Sequence, residues 1–284
     1  MNADDLGYTP GIDRAVSDLA RAGALSSSTA MASGQSLRES VRELPADLGI
    51  GCHVVLVDGR PTADPQEIPS LLENGKFRPT LGRFTADLVR GRIREREIET
   101  EATAQIRLLQ TLLKVRGFRL THLDTHKHTH LFPRVLRPLL RAALACGVRA
   151  IRNPFEPEWS RSATSGASAI RRLQVGLLGQ YRAGFLREVE RAELRTTAGA
   201  LGILATGVLD GVVLQSLLGA LRQHGSADEC YELVCHPGFH DAALDRQHTR
   251  LRVERERKAL FLGIPRWIGT RDDGPHRLAT FADL

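Results

Sequence analysis

Short apolar segments alternate with longer amphipathic stretches along most of the chain. The apolar segments are typical of strands, and stretches with apolar residues every three or four positions are typical of helices. We predict strands over 24–31, 48–56, 117–126, 148–154 and 231–238. We predict helices over about 10–22, 84–116, 132–147, 167–194, 210–223 and 241–262. Strands and helices that alternate this often favour a parallel sheet, open or closed, and we expect one domain over 1–284.

Two stretches break this alternation. Residues 60–84 contain several Pro and Gly residues, which interrupt helices and strands and predict an extended loop. Residues 2–7, NADDLG, look like the carboxyl end of a strand that turns into a loop, yet only Met1 precedes them. Because a strand needs about five residues, we expect the first strand to be truncated, either missing or reduced to a stub.

The longest helical signal, over 84–116, has an apolar stripe opposite a dense Arg/Glu face. The stripe consists of Ile98, Ala102, Ile106, Leu109 and Leu113. Charged residues opposite such a stripe are typical of the solvent side of a surface helix. We therefore interpret the charge run RGRIREREIETE, residues 90–101, as a solvated face and not as a binding patch.

The formal net charge of +6 could indicate an anionic partner. However, only four of the 39 basic residues are lysines, the arginines are scattered, and aromatic residues make up 5% of the chain. We attribute the charge to solvated helix faces and expect no nucleic-acid partner, with an anionic lipid or glycan surface as the alternative.

The chain has neither a run of eighteen apolar residues nor a signal-peptide pattern, and its four cysteines form no CxxC pair. These features predict a reduced, cytoplasmic protein without a transmembrane segment. Peripheral membrane contact and a homodimer stay open.

The stretch THLDTHKHTH, residues 121–130, concentrates four of the ten histidines of the chain. In an extended chain, alternate residues lie on one side. The residues that would share this side are His122, Asp124, His126, His128 and His130. Because neutral imidazole is the commonest protein ligand of divalent metals, the run indicates a metal site.

Other polar residues come where predicted strands end. They are Asp4, Asp5, His53 and His236. Each alone has a structural explanation, such as a turn or a hydrogen-bonded core histidine. Active sites nevertheless gather at the carboxyl ends of parallel strands, so we expect these side chains to converge.

Together these residues suit hydrolysis of an amide or ester. One carboxylate and two imidazoles make a three-ligand metal site with an open position, which is typical of a catalytic centre. A second carboxylate can act as general base, and a histidine from another strand can protonate the leaving group.

Four motifs resemble, in order and spacing, those of the YdjC-like carbohydrate deacetylases, which include chitooligosaccharide deacetylases and a hopanoid-biosynthesis-associated branch. The motifs are NADDLG, GIGCHVVL, THLDTHKHTHLFP and YELVCHPG. The resemblance implies a distorted (β/α) barrel related to polysaccharide deacetylases. It also implies a metal-dependent hydrolase that removes acetyl from N-acetylglucosamine units of an oligosaccharide or glycolipid.

The resemblance also implies roles for individual residues. Asp5, His53 and His126 would be the metal ligands, Asp4 the general base and His236 the general acid. The ion would be a single divalent metal, Mg or Zn in the first place, with Mn and Co also compatible with these ligands.

Three further residues have roles that the resemblance leaves less defined. IRNP resembles an Arg-x-Pro element in which the arginine, here Arg152, orients the base. His128 is the alternative third ligand. His130 would contact the substrate or support a ligand from behind.

Two other functions fit the same residues. A metal-dependent phosphoesterase or amidohydrolase also uses His and Asp ligands in a barrel, but such sites usually hold two or three ions. An inactive homologue that binds a glycan or lipid surface would retain ligand binding without turnover.

Overall fold

The computed structural model describes residues 1–246, 251–269 and 277–284. The strands are β1 (Asn2–Leu6), β2 (Ser27–Ala30), β3 (Gly49–Val54), β4 (Leu72–Glu73), β5 (Lys76–Phe77), β6 (Leu120–Thr125), β7 (Gly199–Leu201) and β8 (Tyr231–Cys235). The helices are α1 (Pro10–Arg21), α2 (Leu37–Glu43), α3 (Leu81–Val89), α4 (Glu95–Lys114), α5 (Pro133–Ala145), α6 (Glu158–Ala163), α7 (Ala169–Leu178), α8 (Arg182–Arg191), α9 (Gly211–His224), α10 (Ala242–Asp245) and α11 (Val253–Gly269).

Six strands form one parallel sheet in the order β6-β3-β2-β1-β8-β7. Single parallel bridges join Leu123 to Ile151 and Ala150 to Arg195, beyond β6. Arg195 lies four residues before β7, at the opposite edge of the sheet, so these bridges connect the two edges. A curled parallel sheet closed by isolated bridges is a distorted (β/α) barrel, and the predicted fold class is confirmed.

The first strand is present, contrary to the expectation of a missing strand or a stub. β1 has five residues, all of them buried, and it pairs in parallel with both β2 and β8. Pairing on both sides places β1 in the interior of the sheet, and five residues is an ordinary strand length. Asp4 and Asp5, which belong to β1, are therefore held on a buried backbone that is paired on both sides.

Several predicted elements differ from the structure in length. The predicted helix over 84–116 is divided into α3 and α4 around Gly91, whose φ of 72° interrupts helical geometry. The helix over 167–194 is likewise divided into α7 and α8. The loop over 60–84 contains the β4–β5 hairpin, and the strand over 148–154 is reduced to the bridges at Ala150 and Ile151. No element was predicted where α2 lies.

The apolar stripe of α4 is buried as predicted, but its charge run is not entirely solvated. Glu97 and Glu101 are fully buried. Glu101 accepts the backbone N–H groups of Thr62 and Ala63, at 2.9 and 3.0 Å, and Glu97 accepts that of Ser70 at 2.6 Å. These carboxylates accept hydrogen bonds from the backbone of the 60–84 loop and hold this loop against α4.

Across the described parts of the chain, every helix is too short or too polar to cross a membrane.

Candidate active site

Asp4 and Asp5 lie at the carboxyl end of β1, where the strand is irregular. The pairing register with β2 shifts between Ala3 and Leu6, and Asp5 has a φ of 69°. Aspartate is among the few non-glycine residues that adopt positive φ with any frequency. Successive residues of a regular strand point to opposite faces, so this distortion explains how two adjacent carboxylates serve one site.

Asp5, His53 and His126 converge although they are distant in sequence. Oδ1 of Asp5 lies 3.4 Å from Nε2 of His53 and 3.4 Å from Nδ1 of His126. The two imidazole nitrogens lie 3.3 Å apart. β1 supplies the carboxylate, β3 supplies His53, and His126 follows the last residue of β6.

These three side chains fit a divalent metal. Ligand atoms at about 2.1 Å from a tetrahedral zinc ion are about 3.4 Å from one another, which is the spacing seen between these atoms. Oδ1 of Asp5 is also a buried atom without a hydrogen-bond partner. A buried carboxylate oxygen left without a donor needs another partner, and a cation between the three groups would supply it.

The charge state of Asp5 agrees with this assignment. Burial by itself would raise its pKa, but the close imidazoles of His126 and His53 outweigh burial and hold the pKa well below its usual range. Asp5 is therefore ionised at neutral pH, as a metal ligand must be.

Asp124 orients His53 from behind. Oδ1 of Asp124 lies 2.7 Å from Nδ1 of His53, on the side of the ring away from Asp5. Such a carboxylate fixes the tautomer of a ligating histidine and leaves Nε2 for the metal.

Arg152 lies at the centre of a buried network of carboxylates. It donates to both oxygens of Asp4, at 2.8 and 2.6 Å, and its Nη1 lies 2.5 Å from Oδ2 of Asp124. It also donates to Oε1 of Glu232 from Nε and Nη2, at 2.9 and 2.7 Å. Both Arg152 and its three partners are almost completely buried, so each charge depends on the others for compensation.

This network sets the ionisation of Asp4. Burial would raise the pKa of Asp4, but the guanidinium of Arg152 outweighs burial and lowers the pKa below its ordinary value. Asn2 and Thr29 add hydrogen bonds to Oδ1, at 3.0 and 3.2 Å. Asp4 is thus held ionised in one orientation, with Arg152 in contact with the residue that the sequence predicted it to orient.

A second group of potential ligands, Asp4, His53 and Asp124, also lies within bonding reach of one cation. Here, however, the carboxylate oxygens already accept from Arg152, which supplies the positive charge itself. This group is therefore better described as an ion-pair network than as a second metal site.

His236, after β8, lies close to Asp4. Its Nε2 lies 3.8 Å from Oδ2 of Asp4, and its Nδ1 lies 4.0 Å from Oε2 of Glu256 on α11. Glu256 also accepts the backbone N–H of His236 at 2.6 Å. The side chain of His236 is 13% exposed, so the ring is not fully enclosed.

The histidine run does not alternate along its whole length as predicted. β6 ends at Thr125, and the chain then enters a 3-10 turn in which Lys127 and His128 have φ of 57° and 52°. Backbone with positive φ is not extended, so the side chains beyond Thr125 no longer alternate between two faces. The turn brings His126, and not His128, to Asp5 and His53.

His122 and His130 lie outside the converged group. His122 stacks on Phe281, with ring centroids 3.7 Å apart, and burial lowers its pKa well below the usual range. His130 is fully buried, its Nδ1 lies 2.6 Å from Oγ1 of Thr125, and burial lowers its pKa to about 3. His130 does not reach an open surface in this structure, and its role, contact with substrate or support of a ligand, stays a prediction.

A cavity of about 630 Å³ is lined in part by Lys127 and His128, the two residues that follow His126 in the chain. Residues of α6 and α7 form much of the rest of its wall. Its aromatic lining residues are Phe132, Phe155, Trp159 and Tyr231. The volume lies within the range of about 300–1,000 Å³ that is usual for small-molecule sites.

Sequence reasoning missed three acidic residues that support the site. Asp124 was noted only as part of the histidine run, and Glu232 and Glu256 were not singled out. Glu232 occurs within the apolar strand sequence YELVC, and buried carboxylates in strands are almost always paired. An acidic residue inside an apolar segment was thus the signal that could have identified Glu232.

The chain matches the sequence profile of the family described as YdjC-like protein over residues 1–264. It is 33% identical over 147 residues to a carbohydrate deacetylase of Brevibacillus brevis, covering 50% of this chain and 54% of that protein. It is 33% identical over 152 residues to a chitooligosaccharide deacetylase of Salmonella typhimurium, covering 52% and 56%. The chain therefore spans about half the length of the curated relatives it matches.

A solved structure has the same fold. It is a protein of Enterococcus faecalis V583 to which cellobiose-phosphate cleavage has been ascribed, and it superimposes with a TM-score of 0.71 over 99% of this chain and 96% of its own. At 22% identity this similarity concerns the fold alone. Since the family profile covers nearly the whole chain, the protein belongs to the YdjC-like family.

Proposed function

We propose that this protein is a metal-dependent carbohydrate N-deacetylase. The observation that carries the proposal is the convergence of Asp5, His53 and His126 around a buried carboxylate oxygen without a hydrogen-bond partner. The names of the two curated relatives support the reaction class. The substrate would carry an N-acetylglucosamine unit, on an oligosaccharide or on a glycolipid.

Asp5, His53 and His126 would hold one divalent ion. Two imidazoles with one carboxylate suit zinc, whereas magnesium prefers oxygen ligands, so we place zinc first and magnesium second. When bound, the ion supplies a Lewis acid that polarises the acetyl carbonyl and lowers the pKa of water.

Asp4 and His236 would divide the proton transfers. Water adds to the acetyl carbonyl carbon as Asp4 accepts a proton from it, and the C–N bond breaks as His236 donates a proton to the sugar nitrogen. The products are acetate and a free amino sugar. Arg152 would position Asp4, since it donates to both oxygens of that carboxylate.

The cavity lined by Lys127 and His128 would receive the sugar. Its aromatic side chains offer flat apolar faces, and its basic and acidic residues offer hydrogen bonds to hydroxyl groups. Since His128 lines this cavity, we assign it to substrate contact and not to the metal.

The experiment is acetate release from N-acetylated chito-oligosaccharides by the purified protein. We expect release to stop with a chelator, to return with added Zn²⁺ or Mg²⁺, and to be abolished in His126→Ala. His240→Ala, which removes an exposed histidine outside the site, is the matched control and should retain activity. Equal release with and without chelator, or in His126→Ala and the parent protein, would contradict the proposal.

Metal content separates this function from the phosphoesterase alternative. One ion per chain fits the deacetylase, because Arg152 fills the second group of acidic ligands. Two ions per chain, together with hydrolysis of a phosphate ester, would favour the alternative.

A further inference from the structure

Helix α7 has apolar side chains on two opposite sides. Val175 is buried, whereas Ile170, Leu173 and Leu177 are exposed to 71%, 64% and 59%. Positions three and four residues apart share one face of a helix, so these three side chains form a continuous stripe opposite Val175. We call it the α7 stripe. Among the described residues, six large apolar side chains are at least 59% exposed, and three of them lie here.

The sequence around α7 is strongly basic. Residues 159–187, between Glu158 and Glu188, include no acidic residue. The basic residues in this segment are Arg161, Arg171, Arg172, Arg182 and Arg187. Arg172 donates to backbone carbonyls of Arg161 and Thr164, and it forms no salt bridge with a described carboxylate. Arg161 lies 4.0 Å from Glu158, and Arg171 faces the cavity on the inner side of the helix. Arg172, Arg182 and Arg187 are exposed and form no salt bridge with a described carboxylate, so they supply the positive charge of this surface.

We propose that α7 docks on an anionic lipid surface, with the α7 stripe in the interface between headgroups and acyl chains. A helix with Leu and Ile on one side and arginines beside them is the usual arrangement of an interfacial helix. Arginines near such a surface are attracted by the negative potential of acidic headgroups. This surface function goes beyond the proposed deacetylation and does not depend on it.

Two other occupants fit the same features less well. A second copy of the chain would bring two segments of five arginines against each other, and like charges in contact oppose association. A nucleic acid would neutralise the arginines, but it would leave the three apolar side chains without an apolar partner. An anionic lipid surface satisfies both the charge and the stripe.

Docking would also place the cavity close to the lipid. Arg171, Val175 and Leu178, on the inner side of α7, line the cavity wall. The stripe and the cavity are thus on opposite sides of the same ten-residue helix. A helix with its side chains is about 10 Å across, so the docked surface and the cavity would be neighbours.

The test is co-sedimentation of the full chain with vesicles of phosphatidylcholine, alone or mixed with phosphatidylglycerol. We expect binding to the mixed vesicles only, and weaker binding as salt is raised. The triple variant Ile170→Ser/Leu173→Ser/Leu177→Ser should lower the partition coefficient at least about tenfold, because each side chain loses apolar burial. Arg172→Gln/Arg187→Gln should lower it on mixed vesicles too.

Val89→Ser/Val115→Ser/Val212→Ser is the matched control, since it removes three exposed apolar side chains from other parts of the surface. It should bind like the parent protein, and thermal melting should verify that all variants fold. Equal binding by the stripe variant and the parent, or no binding by the parent, would overturn the proposal. So would a concentration-dependent dimer that the stripe variant abolishes, which would identify a second copy as the occupant. Acetate release from a soluble substrate, measured on the same variants, tests the deacetylase separately.

Discussion

Asp124 and His53 lie side by side on neighbouring strands, with Oδ1 of Asp124 2.7 Å from Nδ1 of His53. Because this contact occupies one nitrogen of the ring, the other nitrogen faces Asp5 and His126. The geometry of the candidate metal centre therefore depends on a residue that would not itself touch the ion.

Asp124→Asn is expected to weaken metal binding by about 10–100-fold, since it disturbs the orientation and basicity of His53. The measurement is a calorimetric titration of each protein with Zn²⁺. Glu232→Gln is the control, because it also removes a carboxylate partner of Arg152 but does not contact His53. Similar losses of affinity in the two variants would contradict a specific role for Asp124.

His126 and His128 should differ sharply in their effect on the metal. His126→Ala removes one of three expected ligands, whereas His128 lines the cavity and lies outside the group. We expect metal content after dialysis to fall towards zero in His126→Ala and to stay near one ion per chain in His128→Ala. In the deacetylase assay, His128→Ala should mainly raise KM. If His128→Ala lost the metal and His126→Ala kept it, His128 would be the ligand and His126 would not.

Arg152→Met should destabilise the fold by about 3–5 kcal/mol, because three buried carboxylates would lose their shared cation. Urea unfolding measures the change in the free energy of unfolding. Arg141→Met is the control, since Arg141 pairs with Glu99 with half of its side chain exposed. That variant should cost no more than about 1 kcal/mol. Equal losses in the two variants would mean that the buried network contributes no more than a surface pair.

Gly51→Ala should destabilise by about 1–3 kcal/mol through overpacking. A Cβ at this position would lie 2.4 Å from Cε1 of His122, whose ring is stacked on Phe281 and has little room to move. Gly219→Ala is the control, because a Cβ there meets no atom within 4 Å and Ala favours the α9 helix. That variant should gain about 0.5–1 kcal/mol. Urea unfolding of both variants measures the change in the free energy of unfolding, which should be a loss for Gly51→Ala and a gain for Gly219→Ala.

Asp210 should make a pH-dependent contribution to stability. It caps α9 by accepting the N–H groups of Val212 and Val213, both at 3.0 Å. The hydrogen bond from Val213 is the main cause that lowers the pKa of Asp210, while its slight burial opposes the shift. A folded-state pKa below the ordinary value of 3.8 means that the charge stabilises the fold above that pH, and that this contribution is lost as pH falls through the folded-state pKa.

Asp210→Ala should therefore cost about 1 kcal/mol at pH 7, the usual value of an N-cap. Asp210→Asn keeps an acceptor without the charge, so its deficit relative to the parent should shrink as the pH is lowered below 3.8. Chemical unfolding at several pH values measures this. If the deficit of Asp210→Asn grew towards acid pH, the charge of Asp210 would not stabilise the fold as proposed.

The sequence by itself determined the local and chemical features of this protein. Periodicity located most of the helices and strands, because burial of one face imposes a spacing of two or of three to four residues. Motif order indicated the family. The chemistry of carboxylate and imidazole indicated a metal site among the acidic residues and histidines at the strand ends, and the family resemblance implied Asp5 and His53 as ligands. The domain assignment and the roles of the site residues stay predictions.

The tertiary structure decided which of these side chains meet. Positive φ at Asp5, Lys127 and His128 turns side chains away from the alternation that the sequence predicts, and it selects His126 over His128. The Arg152 network joins residues from three separate strands and a bridge segment, so no local pattern reveals it. Contacts between residues far apart in the chain depend on how strands are ordered and packed, and a linear pattern of hydrophobic and polar positions does not encode that order directly.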